Sequence, residues 1–412
     1  MGYSVLQKLR GNIEAIGIAL RHEAGTALSR VNREVLMGYA GFGGIKTILY
    51  PDGPKEEWTR QGATDSDLDQ HKDILALHGL LRQHFDDQQY KEIVASLKES
   101  VLSAFYTPAV VPAVLYQVLG EKGILPQRIY EPSAGAGIFI TEAFHAFPEL
   151  KEVKAVEKDL LTSRILNTLL SDSPVPAQVM AKGFEESNHN ENGNYDLVVS
   201  NIPFGNYSVY DPSYPDKSIS GKIHNYFFAK GLDKLAHGGL MAFVTTSAFL
   251  NTPSNEKVRE YLFKRADFVS LTIMPDNLMT DTGNTQAPTH LLIVQKNTSK
   301  KEISKDEYLL IETEQRKAED GSYNINRYVA AHENHIAVGD NIKDGKDQYG
   351  KPSREYRQDG TIAGIAEKLK HNLETDFDER FNVSAFQRIS FINETAAVEK
   401  KQFEYLPMPP SQ

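Results

Sequence analysis

The sequence predicts an α/β fold, a mostly parallel, doubly wound sheet with an antiparallel edge, entered through a helical N-terminal extension. Three observations carry this expectation. First, six short apolar runs, RIYEP, KAVEKD, YDLVVSNIPF, LMAFVTTSAF, FVSLTIMP and HLLIVQK, follow one another between residues 128 and 296. Most are separated by helix-length stretches, the pattern of parallel strands with helices on both faces. Second, only MPDNLMTDTGNTQAPT lies between the last two runs, too little for a crossover helix, so they suggest an antiparallel pair at one edge. Third, residues 1 to about 100 carry apolar residues at helical spacing, as in Val5, Leu6, Leu9, Ile13, Ile16 and Leu20, and again in Ile74, Leu77, Leu80 and Leu81.

Between these helical stretches lies YAGFGGIKTILYPDGP, a loop punctuated by glycine and proline, and QGATDSDLDQ reads as a second, polar connector. A chain of 412 residues exceeds one ordinary domain. The expected division is a helical region over 1–100, an α/β domain over 101–299 and an accessory segment or linker over 300–412. That last part is charged and polar, with one helical candidate near TIAGIAEKLKHNL and a proline-rich tail, YLPMPPSQ, that reads as a linker.

Composition fits a folded chain, with 40% hydrophobic and 24% charged residues. The absence of cysteine excludes disulfides, thiolate zinc sites and a cysteine nucleophile, and makes the cytoplasm the expected compartment. No stretch resembles a secretory signal or approaches the roughly 18 apolar residues of a membrane helix, so no membrane is an expected partner. A net charge of −10 has the wrong sign for holding nucleic acid over the whole surface. Any such affinity requires a local basic patch or a partner.

Four motifs carry chemistry. In IYEPSAGAGIFI, residues 129–140, a strand runs into a glycine turn and then a helix; Gly135 and Gly137 let the backbone approach a ligand. The spacing is shorter than a dinucleotide turn, and Glu131 at the strand end would repel phosphate but suits an ammonium. The turn therefore fits S-adenosylmethionine better. In KAVEKDLL, Glu157 follows at the distance where a carboxylate accepts hydrogen bonds from both ribose hydroxyls, which alone does not choose between nucleotide cofactors. In GFEES, residues 183–187, Phe184 could pack on an adenine ring and Glu185 could accept from its amine.

The fourth motif decides the reaction class. YDLVVSNIPFGNY, residues 195–207, ends a strand in Asn201-Ile202-Pro203-Phe204, at the carboxyl edge where open α/β sheets bind ligands. An aromatic amine is a weak nucleophile because its lone pair is delocalised. The Asn201 side-chain carbonyl and a backbone carbonyl of Ile202 or Pro203 can accept both amine hydrogens and free that pair, while Phe204 offers a face for a flipped-out base.

This set resembles the N6-adenine DNA methyltransferases, in which Glu-Pro-Ser-Ala-Gly-x-Gly precedes Asn-Pro-Pro-Phe or Asn-Pro-Pro-Tyr. The resemblance implies a Rossmann-like S-adenosylmethionine-dependent methyltransferase fold, adenine in DNA as substrate, and cofactor contacts from Glu131, Pro132, Ser133, Ala134, Gly135, Gly137, Glu157, Lys158, Phe184, Glu185 and Asn201. AFYTPAVVPAVL, residues 104–115, looks like the segment covering the methionine end of the cofactor, which adds Tyr106, Thr107 and Pro108. Together with YAGFGGIK and HNYFFAKGLDKLAHGG, the set resembles the methylase region at the front of large helicase-containing proteins of plasmids, phages and conjugative elements. A helicase region or a specificity subunit is the partner this implies, and no metal is. Lys217 and Lys222 are candidates for contacts to the DNA backbone.

Two departures stand out. Ile202 replaces the usual proline and removes one lock on the backbone. After the sheet, no long segment reads as a target-recognition domain. An inert cofactor- or DNA-binding module, and methylation of RNA adenine or protein glutamine, therefore stay open. Three decoys are set aside. GKDQYGKP places Pro352 where a phosphate loop needs Ser or Thr and reads as a polar loop; the aspartates 65, 67 and 69 lack the glycine of a calcium loop and read as a solvated connector; His332 and His335 are three apart rather than four.

Overall fold

The computed structural model describes residues 4–103, 106–283, 285–319, 321–347 and 350–389. The tail YLPMPPSQ and the first two residues of AFYTP lie outside them. At its centre is a sheet of seven strands, β1 (Arg128–Glu131), β2 (Glu152–Val156), β3 (Ala177–Met180), β4 (Tyr195–Asn201), β5 (Leu235–Thr246), β6 (Ala266–Met274) and β7 (Thr289–Lys296). Their order is β3-β2-β1-β4-β5-β7-β6. Strands β1 to β5 pair in parallel, and β7 runs antiparallel between β5 and β6, the edge pair anticipated from sequence.

Six apolar runs were read as strands; the seventh, β3, is short and half-exposed at the other edge. It carries too little apolar signal to be distinguished from a loop. The inner strands are apolar throughout because helices cover both faces. On one face pack the helices Val110–Glu121, Ile138–Ala146 and Ala366–Arg380, the last matching TIAGIAEKLKHNL; its Leu369, Leu373 and Phe377 join the main core. On the other lie Ile223–Lys234 and Glu256–Phe263, with Lys305–Ile311 and Arg327–Ile336 packed beside β6, where Glu307 accepts from the Phe268 N–H and Tyr328 meets the Phe268 ring.

The N-terminal extension is helical, with its longest helices at Val5–Glu23, His71–His84 and Asp87–Ser103. Leu9, Ile16, Leu20, Ile74, Leu77 and Leu81 are buried in a separate cluster that rests on Leu161, Ile165 and Leu169 of the helix Leu160–Leu169. The aspartate run departs from expectation. Thr64 and Asp67 form a reciprocal capping box that opens a one-turn helix, Asp65–Leu68, so Asp67 is buried rather than solvated.

Beyond the sheet, two antiparallel hairpins form: β8 (Thr313–Ala318) with β9 (Gly321–Asn326), and β10 (Asn341–Lys346) with β11 (Pro352–Arg357). Of GKDQYGKP, Gly345 and Lys346 end β10 and Pro352 begins β11, while residues 348 and 349 lie outside the described residues. No helix among the described residues is long and apolar enough to cross a membrane.

Candidate active site

All the strand ends that carry the sequence motifs open into one cleft of about 2120 Å³ along the carboxyl edge of the sheet. Its first wall is the glycine turn after β1. Gly135 and Gly137 have φ of 53° and 83°, left-handed values that suit glycine. A Cβ on Gly135 would lie 2.8 Å from the Tyr106 ring, and one on Gly137 2.5 Å from Leu166. The turn is tied to β4 by the Ser200 hydroxyl, which donates to the Ser133 carbonyl at 3.0 Å.

Glu157, at the end of β2, accepts from the Gly135 N–H at 2.7 Å and the Asp159 N–H at 2.8 Å, one on each oxygen. Since an ionised carboxylate offers about four acceptor positions, ribose hydroxyls still have room. Burial, then the charge of Asp159, pushes Glu157 up to about 7, against the pull of those backbone donors. Glu131 is 1% exposed, and its Oε2 has no hydrogen-bond partner among the described residues. Burial, then the charge of Glu157, holds this carboxyl well above its usual range.

Tyr106 covers the turn. Its hydroxyl lies 3.3 Å from Thr162 Oγ1, and its carbonyl accepts from Thr282 at 2.6 Å. Thr107 is buried with its hydroxyl unpartnered among the described residues, and Pro108 lines the cleft beside it. Pro132, Ser133, Ala134 and Lys158 also line it; Lys158 is paired at 2.9 Å with Glu99. Phe184 borders the cleft but is 2% exposed, its ring packed among Tyr130, Tyr226 and Phe227, which leaves little face for a ligand. Glu185 beside it is half-exposed.

Asn201 ends β4 opposite Val244 of β5. The next residue resolves the first departure noted above. Ile202 is 1% exposed, and its N–H donates to the Val244 carbonyl at 3.0 Å. A proline cannot make that bond, so the ladder fixes here the backbone that a proline would fix by its ring. Pro203 and Phe204 follow, both half-buried in the cleft wall, Phe204 resting on the main core.

Several residues of this architecture escaped the sequence motifs. Asn12, 1% exposed, donates to the Gly41 carbonyl at 2.6 Å and accepts from the Ala40 N–H at 3.0 Å. It holds YAGFGG against Tyr106, since a Cβ on Gly41 would meet the Tyr106 hydroxyl at 2.7 Å. Lys230, fully buried, donates to Asp211 and to the Glu185 carbonyl, both at 3.0 Å. The signal was a lysine inside the apolar stretch HNYFFAKG. Lys217 is exposed, whereas the Lys222 ammonium donates to Ser254 and Asn255 at 2.9 Å and is engaged within the protein.

Comparison with known proteins places this architecture. A family model described as N-6 DNA Methylase matches residues 90–358, well over half of the chain. The chain belongs to the N-6 DNA methylase family. Among its relatives, Defense against restriction protein B of Escherichia phage P1 is 26% identical over 200 residues, which is 48% of this chain and 8% of that protein. Type II methyltransferase M.XamI of Xanthomonas campestris pv. amaranthicola is 26% identical over 185 residues, 42% of this chain and 35% of its own length. The matches thus span well under half of either relative. Of solved structures, a type I restriction-modification methyltransferase subunit from Streptococcus thermophilus is 13% identical, with 92% of this chain and 93% of that one covered at a TM-score of 0.43.

Proposed function

We propose that this N-6 DNA methylase transfers a methyl group from S-adenosylmethionine to the exocyclic N6 amine of adenine in DNA. The observation that carries the reading is the meeting of two chemistries in one cleft: a buried, partnerless carboxylate oxygen of Glu131 beneath a glycine turn, and the Asn201-Ile202-Pro203-Phe204 strand end. A buried acceptor without a donor is costly, and the ammonium of a methionine moiety supplies that donor. Glu157 would take the ribose hydroxyls, Gly135 and Gly137 leave space for the cofactor, and Tyr106, Thr107 and Pro108 would cover it.

When bound, the cofactor supplies a methyl whose bond to the sulfonium breaks, the pair going to sulfur, as the amine lone pair forms the new N–C bond. Asn201 accepts one amine hydrogen through its side-chain carbonyl, and the carbonyl of Ile202 or Pro203 accepts the second. Both then stabilise the positive charge that develops on nitrogen. Phe204 stacks on the base and fixes its plane. No strong base is required, because the nitrogen releases its proton to water only after the new bond has formed. Rate enhancement comes from position and from fixed acceptors.

The test incubates the chain with labelled S-adenosylmethionine and, in parallel, unmethylated DNA, RNA and protein extract. Label in N6-methyladenine of DNA that disappears in Asn201→Ala supports the reading. Cofactor binding with no transfer to any pool favours an inert module, and label in RNA or glutamine names another amine. A helicase region or specificity subunit as partner is part of the same proposal, and is tested by co-purification with the full-length source protein.

A further inference from the structure

The cleft is larger than its cofactor and one base require. Small-molecule sites occupy about 300–1,000 Å³, against about 2120 Å³ here. It is also electrically divided. Between Met37 and Glu185, its described lining holds six carboxylates and two lysines. Between Thr246 and Arg357, it holds four cations, Lys346, Lys351, Arg354 and Arg357, against three carboxylates. A cationic sulfonium suits the first half, and a polyanion suits only the second. Of these cations Arg354 is bound to Glu333 and Asp344 and serves the hairpin itself. Lys351 is exposed at the β10–β11 turn, and Arg357 is half-buried at its base, 3.3 Å from Gln286.

A second observation lies on the loop that follows the catalytic tetrapeptide. Tyr207 is 51% exposed and folds back against Gly205, where a Cβ would meet its ring at 2.6 Å. Tyr210, three residues on, is 86% exposed within the cleft lining. A lone exposed tyrosine is ordinary. One on the catalytic loop, in the same cleft as a cationic hairpin, has the composition of a single-strand binding groove, a stacking ring with a charged track.

We infer that the hairpin half of the cleft is a groove for a DNA strand, in which Tyr210 stacks on the base beside the methylated adenine while Lys351 and Arg357 meet the flanking phosphates. This rests on the methyltransfer reading for the position of the target base.

The experiment measures binding of a fluorescently labelled, adenine-containing DNA oligonucleotide to the full chain saturated with S-adenosylhomocysteine, across a salt series. Tyr210→Ala is expected to weaken binding roughly tenfold, with Tyr210→Trp restoring it, as loss and replacement of one stacked base would. Lys351→Gln is expected to lower the slope of log affinity against log salt by about one. Calorimetric affinity for S-adenosylhomocysteine should stay at the wild-type value in each variant, which separates a local effect from misfolding. Wild-type affinity and slope in both Tyr210→Ala and Lys351→Gln, or no oligonucleotide binding by the wild type, overturns the groove. Salt-dependent binding that these variants weaken, without any methyl transfer to DNA, keeps the groove and overturns the methyltransfer reading instead.

Discussion

The two halves of the cleft are built in opposite ways. In the half proposed for the cofactor the chemistry sits at strand ends: Glu131 closes β1, Glu157 directly follows β2, and Asn201 closes β4 at the boundary with the other half. The hairpin half is assembled from segments far apart, the 207–210 loop, Thr246 to Pro253, and residues beyond 320. Parallel strands with helical crossovers present all their carboxyl ends on one edge, so chemistry placed there is written locally. A wall contributed by later hairpins is written only in the tertiary structure.

That contrast can be broken most directly at Asn201. Removing one fixed hydrogen-bonding group from a charge-developing centre costs about 10²–10³ in rate, so Asn201→Ala should lose that much in single-turnover transfer while cofactor affinity changes far less. An equal loss in both would erase the boundary between the halves. Next in size is Gly135→Ala, which forces a side chain into φ of 53° and against the Tyr106 ring. Left-handed strain of about 1–2 kcal/mol adds to a blocked approach. Cofactor affinity measured by calorimetry should fall tenfold or more, roughly, with oligonucleotide affinity unchanged.

The pH response should separate the halves further. With Glu157 pushed up to about 7, its carboxyl is largely protonated at pH 6, and the ribose donors need the ionised form. Cofactor affinity should therefore be about tenfold weaker at pH 6 than at pH 8, with protons released on binding near pH 7. Stability of the free protein runs the other way. The folded value lies above the ordinary 4.5 of a glutamate, so this contribution is full below 4.5 and is lost as pH rises through about 7. A cofactor-induced rise in melting temperature that is larger at pH 6 than at pH 8 would falsify this assignment. The smallest effect is expected from Asn12→Ala. It leaves the buried Gly41 carbonyl and the half-buried Ala40 N–H of the YAGFGG loop without their partner, costs about 1–3 kcal/mol of stability, and loosens Tyr106 enough to weaken cofactor binding a few-fold.

The legible parts of this molecule share a physical character. YDLVVSNIPF announces a buried central strand, and its terminal tetrapeptide carries its chemistry within four residues. The helices of the N-terminal region follow from spacing alone, because one face of each is apolar. By contrast TEQRKA, GSYNIN, NIKDGK and PSREYR form β8 to β11 with few apolar residues between them, chiefly Ile325 and Tyr356 buried. Such strands are held by pairing and by the helix beneath them, and alternation in the sequence barely registers it. Asn12 and Gly41 lie 29 residues apart, and their hydrogen bond has no local trace. Ile202 was legible as a departure, but its remedy, a hydrogen bond to Val244, required the register of β5.

Lys230 joins what these descriptions separate. One buried ammonium holds Asp211, on the loop after Asn201-Ile202-Pro203-Phe204, and the carbonyl of Glu185, which lines the same cleft. Glu185 offers a backbone carbonyl that any residue there would supply, whereas Asp211 offers its side chain. A graft of residues 205–221 from a relative must bring an acidic partner for Lys230 or leave a charge stranded in the core. Variation in residues 205–221 is therefore limited by a charge buried outside that segment.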